Sequence, residues 1–191
     1  LVAVSKRQPD EKIDAALAAG QRVFGENRVQ EASQRWTGRR VAYSDLVLHL
    51  IGPLQTNKVA EAVELFDVIE VVDREKLARA LAKEMALQNR YLPFYIQVNT
   101  GEEPQKSGIL PDQLDGFAQF CKDELALPVI GLMCIPPVDV KTDIYFKEMS
   151  FLKNNLALPD LSMGMSSDYL EAIKNSSTYV RIGSKIFGKR S

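Results

Sequence analysis

Short apolar segments alternate with amphipathic segments eight times along this chain of 191 residues, and no other property of the sequence restricts its possible folds as much. The apolar segments are rich in β-branched residues and too short for helices, which is typical of strands buried on both faces of a parallel sheet. No hairpin-turn signal separates one segment from the next, so the pattern predicts repeated βαβ units. We place the strands at residues 1–6, 22–27, 47–52, 67–73, 94–99, 129–135, 161–166 and 179–182.

Apolar residues at helical spacing occupy the intervals between these strands. Three further predictions concern single segments between the strands. Residues 38–45 are polar and predict a loop, Asp73 is placed to cap the next helix, and Asp168 with Glu171 has the spacing of a capping box. The predicted inward faces are Ile13, Ala16 and Leu17; Val29, Ala32 and Trp36; Val59, Val63 and Phe66; Leu77, Leu81 and Met85; Leu114, Phe117 and Phe120; and Phe146, Met149 and Leu152.

Eight consecutive βα units predict a single α/β domain over residues 1–191, folded as a (β/α)8 TIM barrel. A doubly wound open sheet is the alternative, since 191 residues is short for a barrel. Neither a linker nor a low-complexity tract marks a second domain. Because the chain begins directly in a strand and without an initiator Met, we expect further residues upstream of it; the family resemblance described below implies that they form a helix.

Composition excludes several classes of protein. A net charge of −1 without a run of basic residues argues against a nucleic-acid partner, and no apolar stretch reaches the length of a membrane span. The two cysteines, Cys121 and Cys134, lie in apolar surroundings and are predicted to be buried thiols in a cytoplasmic protein.

Lys6 is the first candidate for chemistry, because it ends the first predicted strand. The carboxyl ends of strands are where α/β proteins place their active sites. Burial there lowers the pKa of a lysine and supplies a neutral, nucleophilic amine. A solvated surface charge is the alternative for this residue.

Two serine- and glycine-containing loops follow the seventh and eighth predicted strands, where TIM barrels often bind phosphate. Ser166 and Ser167 precede a predicted helix, whose free N–H groups favour an anion. In the second loop, Gly183 allows close backbone approach, and Ser184 adds a hydroxyl donor. The alternative is that these serines are only helix caps and that Gly183 only forms a turn.

A phosphate site facing a strand-end lysine suggests an aldehyde cofactor held as a Schiff base, namely pyridoxal 5'-phosphate (PLP). Such a site also needs an Asp or Arg at the pyridine nitrogen, and Arg181 is the candidate, with a salt bridge as its alternative role. An arginine does not give its proton to the ring, so the cofactor would be a weak electron sink.

Seven sequence blocks resemble the pyridoxal-phosphate homeostasis protein family (the YggS/PROSC group), whose barrel is similar to the N-terminal barrel of alanine racemase. They extend over the whole chain in the family's order. The blocks are Leu-Val-Ala-Val-Ser-Lys at 1–6, Phe-Gly-Glu-Asn-Arg-Val-Gln-Glu at 24–31, His-Leu-Ile-Gly-Pro-Leu-Gln-Thr-Asn-Lys at 49–58, Gln-Val-Asn at 97–99 with Lys-Ser-Gly at 106–108, Gly-Leu-Met-Cys-Ile-Pro-Pro at 131–137, Leu-Ser-Met-Gly-Met-Ser at 161–166 and Val-Arg-Ile-Gly-Ser-Lys-Ile-Phe-Gly at 180–188.

The resemblance implies roles for individual residues. Lys6 would form the Schiff base with PLP, and Arg181 would face the pyridine nitrogen. Asn27 and His49 would line the same barrel mouth, and Met165 would pack the barrel or lie against the ring. The phosphate would be held by Ser166, Gly183 and Ser184. Charges expected at the rim, or on a solvated face, are Glu26, Glu31 and Lys58.

The resemblance also implies a choice between a carrier and an enzyme. Related alanine racemases take a tyrosine as second base from a C-terminal β domain of the partner subunit, and this sequence has no counterpart of that domain. We therefore expect a monomeric protein that binds PLP and delivers it to PLP-dependent apo-enzymes, without a certain catalytic residue or a metal. The alternatives are a single-domain PLP-dependent amino-acid racemase and a lysine-dependent aldolase acting on a sugar phosphate.

Overall fold

The computed structural model describes residues 1–138 and 140–188, and within these ranges it contains eight strands, all paired in parallel. Each strand lies next to its neighbour in sequence, and the first also pairs with the eighth through Val2 opposite Arg181. The strands are β1 (Val2–Val4), β2 (Val23–Glu26), β3 (Val47–Leu50), β4 (Val68–Val72), β5 (Phe94–Val98), β6 (Val129–Cys134), β7 (Asp160–Ser162) and β8 (Arg181–Ile182).

The sheet closes into a barrel just before β8. Ser162 of β7 forms a parallel bridge with Tyr179, and the backbone N–H of Met163 donates to the Tyr179 carbonyl oxygen at 3.1 Å. A doubly wound sheet would instead reverse its strand order at an interior point. The barrel prediction is therefore confirmed, and the open-sheet alternative is wrong.

Helices cover the outside of this sheet, and α4 shows the predicted inward face, with Leu77, Leu81 and Met85 all buried. Short 3-10 turns precede two helices, at Thr56–Lys58 and Pro111–Gln113, and a π-helical segment, Phe120–Glu124, extends another. The α-helices are α1 (Asp10–Ala18), α2 (Val29–Ala42), α3 (Val59–Leu65), α4 (Glu75–Leu87), α5 (Leu114–Gln119), α6 (Asp143–Asn155), α7 (Tyr169–Lys174) and α8 (Ser184–Phe187).

The loop predicted at residues 38–45 is wrong over its first five residues, because α2 continues to Ala42. Arginines in its last turns attach the helix to neighbouring elements. Arg39 Nε donates to Asp14 Oδ1 at 2.8 Å, and Arg40 donates to the Leu65 carbonyl oxygen at 2.7 Å. These tertiary contacts offset the low helix propensity of glycine within the segment.

The predicted cap of α4 is wrong, and the predicted start of α7 is confirmed in position but without a capping hydrogen bond. The residue that precedes α4 is Arg74, not Asp73, and Arg74 donates to the Asp73 carboxylate. Asp168 does precede α7, but its Oδ1 accepts a hydrogen bond from the backbone N–H of Met165 at 2.6 Å. The carboxylate therefore fixes the loop after β7 and does not cap the helix that follows.

Side chains of the outward strand faces and the inward helix faces form the apolar core. Phe24 of β2 packs on Trp36 of α2 with ring centroids 4.7 Å apart, and both are fully buried. The barrel interior differs, since it contains the buried polar residues His49, Glu70 and Arg181. Polar groups therefore occupy the space that a purely structural barrel would fill with branched apolar side chains.

The buried thiols predicted from the sequence are confirmed, because Cys121 and Cys134 are both fully buried. Burial raises the pKa of each thiol to about 12. We expect neither cysteine to react with a thiol reagent in the native protein at neutral pH. The measurement is labelling followed by intact mass, with the protein unfolded in urea as the control that exposes both thiols. Rapid labelling of the native protein would contradict this expectation.

Candidate functional site

A cavity of ≈ 540 Å³ opens at the carboxyl ends of β1 and β8. It contains seven of the eight predicted binding residues, which come from four separate parts of the chain. Its walls are formed by Val4, Lys6, Asn27, Ile51, Ile135, Met165, Ser166, Ser167, Arg181, Gly183 and Ser184. The mouth of the barrel therefore places the predicted amine, hydroxyls and guanidinium around one space.

Lys6 reaches this cavity because β1 stops two residues before it. The backbone N–H of Ser5 still donates to the Gly25 carbonyl oxygen at 3.2 Å, as in a parallel ladder. Arg7 then adopts a left-handed conformation with φ of 55°, and Gln8 closes a turn back to the Ser5 carbonyl oxygen at 3.0 Å. The turn leaves the partly buried Lys6 side chain as a wall of the cavity.

A buried carboxylate supports this turn from outside the barrel. Glu26 is fully buried, and its Oε1 accepts hydrogen bonds from Ser5 Oγ at 2.7 Å and Trp36 Nε1 at 3.1 Å. Arg35 donates to the same oxygen at 3.0 Å and also to the carbonyl oxygens of Ser5 and Gln8. Glu26 is therefore not the rim or solvated charge that the sequence predicted.

Replacing Arg35 by alanine should lower the free energy of unfolding by about 2 kcal/mol, because it leaves the Glu26 charge buried with only two donors. Urea denaturation of the protein without added ligand measures this loss. Arg28→Ala is the matched control, since its ion pair with Glu31 is exposed and should contribute less than about 0.5 kcal/mol. Equal stabilities of the two variants would show that the buried carboxylate does not depend on Arg35.

Asn27 follows β2 and is held against the neighbouring strand end. A Cβ atom at Gly52 would lie 2.4 Å from the Asn27 carbonyl oxygen, so only glycine allows this approach. The side-chain Oδ1 of Asn27 is buried and has no hydrogen-bond partner among the described residues. It is one of six buried side-chain N or O atoms without a partner in the described part of the chain, and the residue itself lines the cavity.

The two loops predicted to bind phosphate lie side by side at one end of the cavity. The backbone N–H of Arg181 donates to the Gly164 carbonyl oxygen at 3.0 Å, which ties the loops together. Gly164 has φ of +90°, and a Cβ there would lie 2.5 Å from the Ala172 Cβ. Ser166 and Ser184 then follow on adjacent sides of the same space. The donor set of hydroxyls and helix-start N–H groups fits an anion.

In contrast to Gly164, Gly183 has neither a positive φ nor a close protein neighbour that would exclude a side chain. Its φ is −113°, and the nearest protein atom to an added Cβ would be the Val4 carbonyl oxygen at 3.4 Å. Protein packing therefore does not demand glycine at this position. The missing side chain leaves open room in the cavity, which is what close approach of a ligand to the backbone requires.

Arg181 is almost fully buried, and its guanidinium is fixed by the barrel interior. One nitrogen, Nη1, donates to Ser162 Oγ at 2.7 Å, and Nη2 donates to the Cys134 carbonyl oxygen at 2.8 Å. Ser162 Oγ in turn donates to Glu70 Oε2 at 2.6 Å. Arg181 therefore lines the cavity and also lies 3.8 Å from the Glu70 carboxylate, while its role at a pyridine nitrogen stays a prediction.

Sequence reasoning did not select Glu70, the carboxylate in this network. Burial by itself would raise the pKa of Glu70, but the hydrogen bond and charge of His49, the charge of Arg181 and the Ser162 hydroxyl outweigh it and hold the pKa below its usual range. The available signal was a single acidic residue in the middle of a strand that is otherwise apolar and buried along its whole length.

His49 does not line the cavity, although the sequence placed it at the barrel mouth. Its Nδ1 lies 2.6 Å from Glu70 Oε1, and its ring packs 5.4 Å from the Tyr179 ring, between centroids. The ring belongs to the barrel interior because residue 49 precedes the last residue of β3 and points inward. Met165 does line the cavity, whereas Met133 and Met163 are core residues.

A larger groove of ≈ 680 Å³ lies beside the cavity and shares Ile135, Met165 and Ser167 with it. The larger volume of this groove does not make it the candidate site, because no lysine at the end of a strand lines it among the residues that the structure describes. Within the described residues, no group of three or more His, Cys, Asp or Glu side chains could hold a metal ion. No helix in the same part of the chain is long and apolar enough to cross a membrane.

Comparisons with known proteins agree with this geometry. The family described as alanine racemase, N-terminal domain, matches residues 6–191. A pyridoxal phosphate homeostasis protein of Vibrio cholerae is 41% identical over 100% of this chain and 85% of its own length. The structure of PipY from Synechococcus elongatus PCC7942 with PLP bound has a TM-score of 0.88 and 36% identity, and the match covers 98% of this chain and 91% of PipY.

A more distant structural neighbour shows the fold alone. Alanine racemase from E. faecalis superposes with a TM-score of 0.73 at 18% identity. The match covers 98% of this chain but 53% of the racemase chain.

Proposed function

The chain belongs to the pyridoxal phosphate homeostasis protein family, which has the barrel of the alanine racemase N-terminal domain, and on this basis we propose that it binds PLP on Lys6 and takes part in PLP homeostasis and delivery. One observation of the structure supports the proposal above all. A strand-end lysine, two adjacent loops with serine hydroxyls and a buried arginine line the same cavity. PLP needs these three kinds of group, and it is bound in the similar structure of PipY.

Each end of the cavity has a separate task in this proposal. PLP supplies an aldehyde that condenses reversibly with a primary amine and releases water. Lys6 would provide that amine, and Ser166, Gly183 and Ser184 would hold the phosphate. Asn27 lines the same cavity and would contact the bound ligand there.

The presence of Arg181 favours a carrier of PLP over an enzyme whose reaction requires the cofactor to stabilise a carbanion strongly. A guanidinium keeps its proton at any pH at which the protein folds, so it cannot protonate the pyridine nitrogen. Its two hydrogen bonds to Ser162 and Cys134 further fix its position. A site of this kind retains the cofactor without making it a strong electron sink.

The placement of the tyrosines is the second support for a carrier. None of the six tyrosines, all within the described residues, lines the cavity. For Tyr95 and Tyr179, burial together with the negative charge of Asp160 raises the pKa of the hydroxyl. A second catalytic base opposite Lys6 would need a pKa near neutral.

Two assays on the purified protein test this proposal. Loaded protein should restore activity to a PLP-dependent apo-enzyme, and it should racemise alanine or serine far more slowly than about 1 per second, a rate at the low end for enzymes. Racemisation at ordinary enzyme rates would favour the single-domain racemase instead. The acceptor enzymes and the monomeric state remain predictions from the sequence, and light scattering on the loaded protein checks the second.

A further inference from the structure

We infer that Glu70 is a positioning residue for the cofactor site, and that it acts on PLP only through the guanidinium of Arg181. The inference rests on the proposed function and adds to it a residue that does not line the cavity. Glu70 lies on β4, on the opposite side of the barrel from the Arg181 strand. Its carboxylate connects these two strands across the barrel interior through hydrogen bonds.

The connection is a directed chain of hydrogen bonds. Arg181 Nη1 donates to Ser162 Oγ at 2.7 Å, and the single proton of that hydroxyl is then donated to Glu70 Oε2 at 2.6 Å. Because Ser162 uses its proton on Glu70, it can only accept from Arg181. The carboxylate therefore sets the direction of the serine hydroxyl, and the hydroxyl sets the position of the guanidinium.

The second oxygen of Glu70 is also engaged, which keeps the carboxylate from rotating. Glu70 Oε1 lies 2.6 Å from His49 Nδ1, and both residues are buried. With one oxygen bound from β3 and the other from β7, the carboxylate has a fixed plane. A fixed acceptor at the end of the chain gives Arg181 a single orientation.

The buried positive charge of Arg181 also indicates that Glu70 holds the guanidinium in place. The Arg181 side chain is 3% exposed, and a buried cation needs an anion nearby. Glu70 Oε2 is 3.8 Å from Arg181 Nη1, and among the described residues Glu70 is the one carboxylate that forms an ion pair with Arg181. Removing this negative charge would leave the guanidinium without a counter-ion in the barrel and free to shift from its place in the cavity wall.

The experiment compares PLP dissociation constants, from absorbance titration, for the wild type and matched variants. Glu70→Gln keeps the shape and removes the charge, and it should weaken PLP binding about tenfold. Ser162→Ala breaks the chain at its middle and should weaken binding severalfold. Tyr95→Phe is the control, because it removes a buried hydroxyl that contacts Asp160 and not Arg181, and it should leave the constant within about twofold.

A double-mutant cycle separates positioning from general damage to the barrel. Once Arg181 is replaced by methionine, adding Glu70→Gln should cause no further loss of affinity. A tenfold loss that persists in the Arg181→Met background, or no loss from Glu70→Gln in the wild-type background, would overturn the inference. If Glu70→Gln does not fold, an unchanged affinity of folded Ser162→Ala overturns it as well. Failure of the wild type itself to bind PLP would refute the proposed function instead.

Discussion

Replacing Lys6 by arginine is expected to abolish covalent PLP binding and to weaken total binding at least a hundredfold. Arginine is a basic side chain of similar length to lysine, so we expect the phosphate loops and Arg181 to keep their surroundings. A guanidinium is always protonated and presents no free electron pair, whereas a lysine amine does so after losing a proton. The variant should therefore lose the visible absorbance of the bound cofactor while its unfolding curve stays close to that of the wild type.

Lys58→Arg is the matched control for this substitution. Lys58 lies at the start of α3, pairs with Glu61 on the surface and lines a different pocket. The control should bind PLP as the wild type does. Retention of a reducible PLP adduct by Lys6→Arg would show that another lysine is the anchor, and it would remove the central residue of the account.

Removing both phosphate-loop hydroxyls, in the variant Ser166→Ala with Ser184→Ala, is expected to weaken PLP binding about a hundredfold. Each hydroxyl would donate to a doubly charged group, and hydrogen bonds to charged groups are worth about tenfold each in affinity. Pyridoxal, which has the same ring and aldehyde without the phosphate, should bind the variant within about threefold of the wild type. The ratio of the two affinities therefore isolates the phosphate end of the cavity.

Ser33→Ala provides the control, since Ser33 is an exposed residue of α2 away from the barrel mouth. It should change neither affinity. If the double variant lost affinity for pyridoxal as strongly as for PLP, the two loops would be shaping the whole cavity and would not be a phosphate site.

The barrel was predictable from sequence because its main signal is repeated and local. Each strand is a short β-branched run buried on both faces, and each helix has an apolar stripe, as in α4 with Leu77, Leu81 and Met85. Once eight such units are counted, the carboxyl ends of all strands must share one mouth. Lys6, Ser166 and Gly183 could be brought together by this topology without any knowledge of side-chain contacts.

The parts that sequence reasoning missed depend on contacts between distant segments. α2 extends through a glycine-containing stretch because Arg39 and Arg40 bind partners on α1 and at the end of α3. Glu26 looked like a rim charge because its donors Arg35 and Trp36 are recognisable only after α2 is folded onto β2. No local pattern records these pairings.

The position of the polar residues inside the barrel was the hardest to predict. Glu70 and His49 are each flanked by apolar residues within their own strand. The sequence of such a strand does not tell which of its two faces points into the barrel. The assignment becomes possible only when Ser162 and Arg181 are seen on the opposite wall. Isolated charges in strands that are otherwise fully apolar are thus the sequence signal to follow in similar barrels.

Borohydride reduction of the protein loaded with PLP, followed by peptide mass mapping, tests the central claim most directly. The account predicts a yellow protein that loses its colour on reduction and contains one phosphopyridoxyl group, located on Lys6. A colourless protein that takes up no added PLP, or a reduced adduct located on a different lysine, would contradict it. The first of these results would make a lysine-dependent aldolase acting on a sugar phosphate the favoured function.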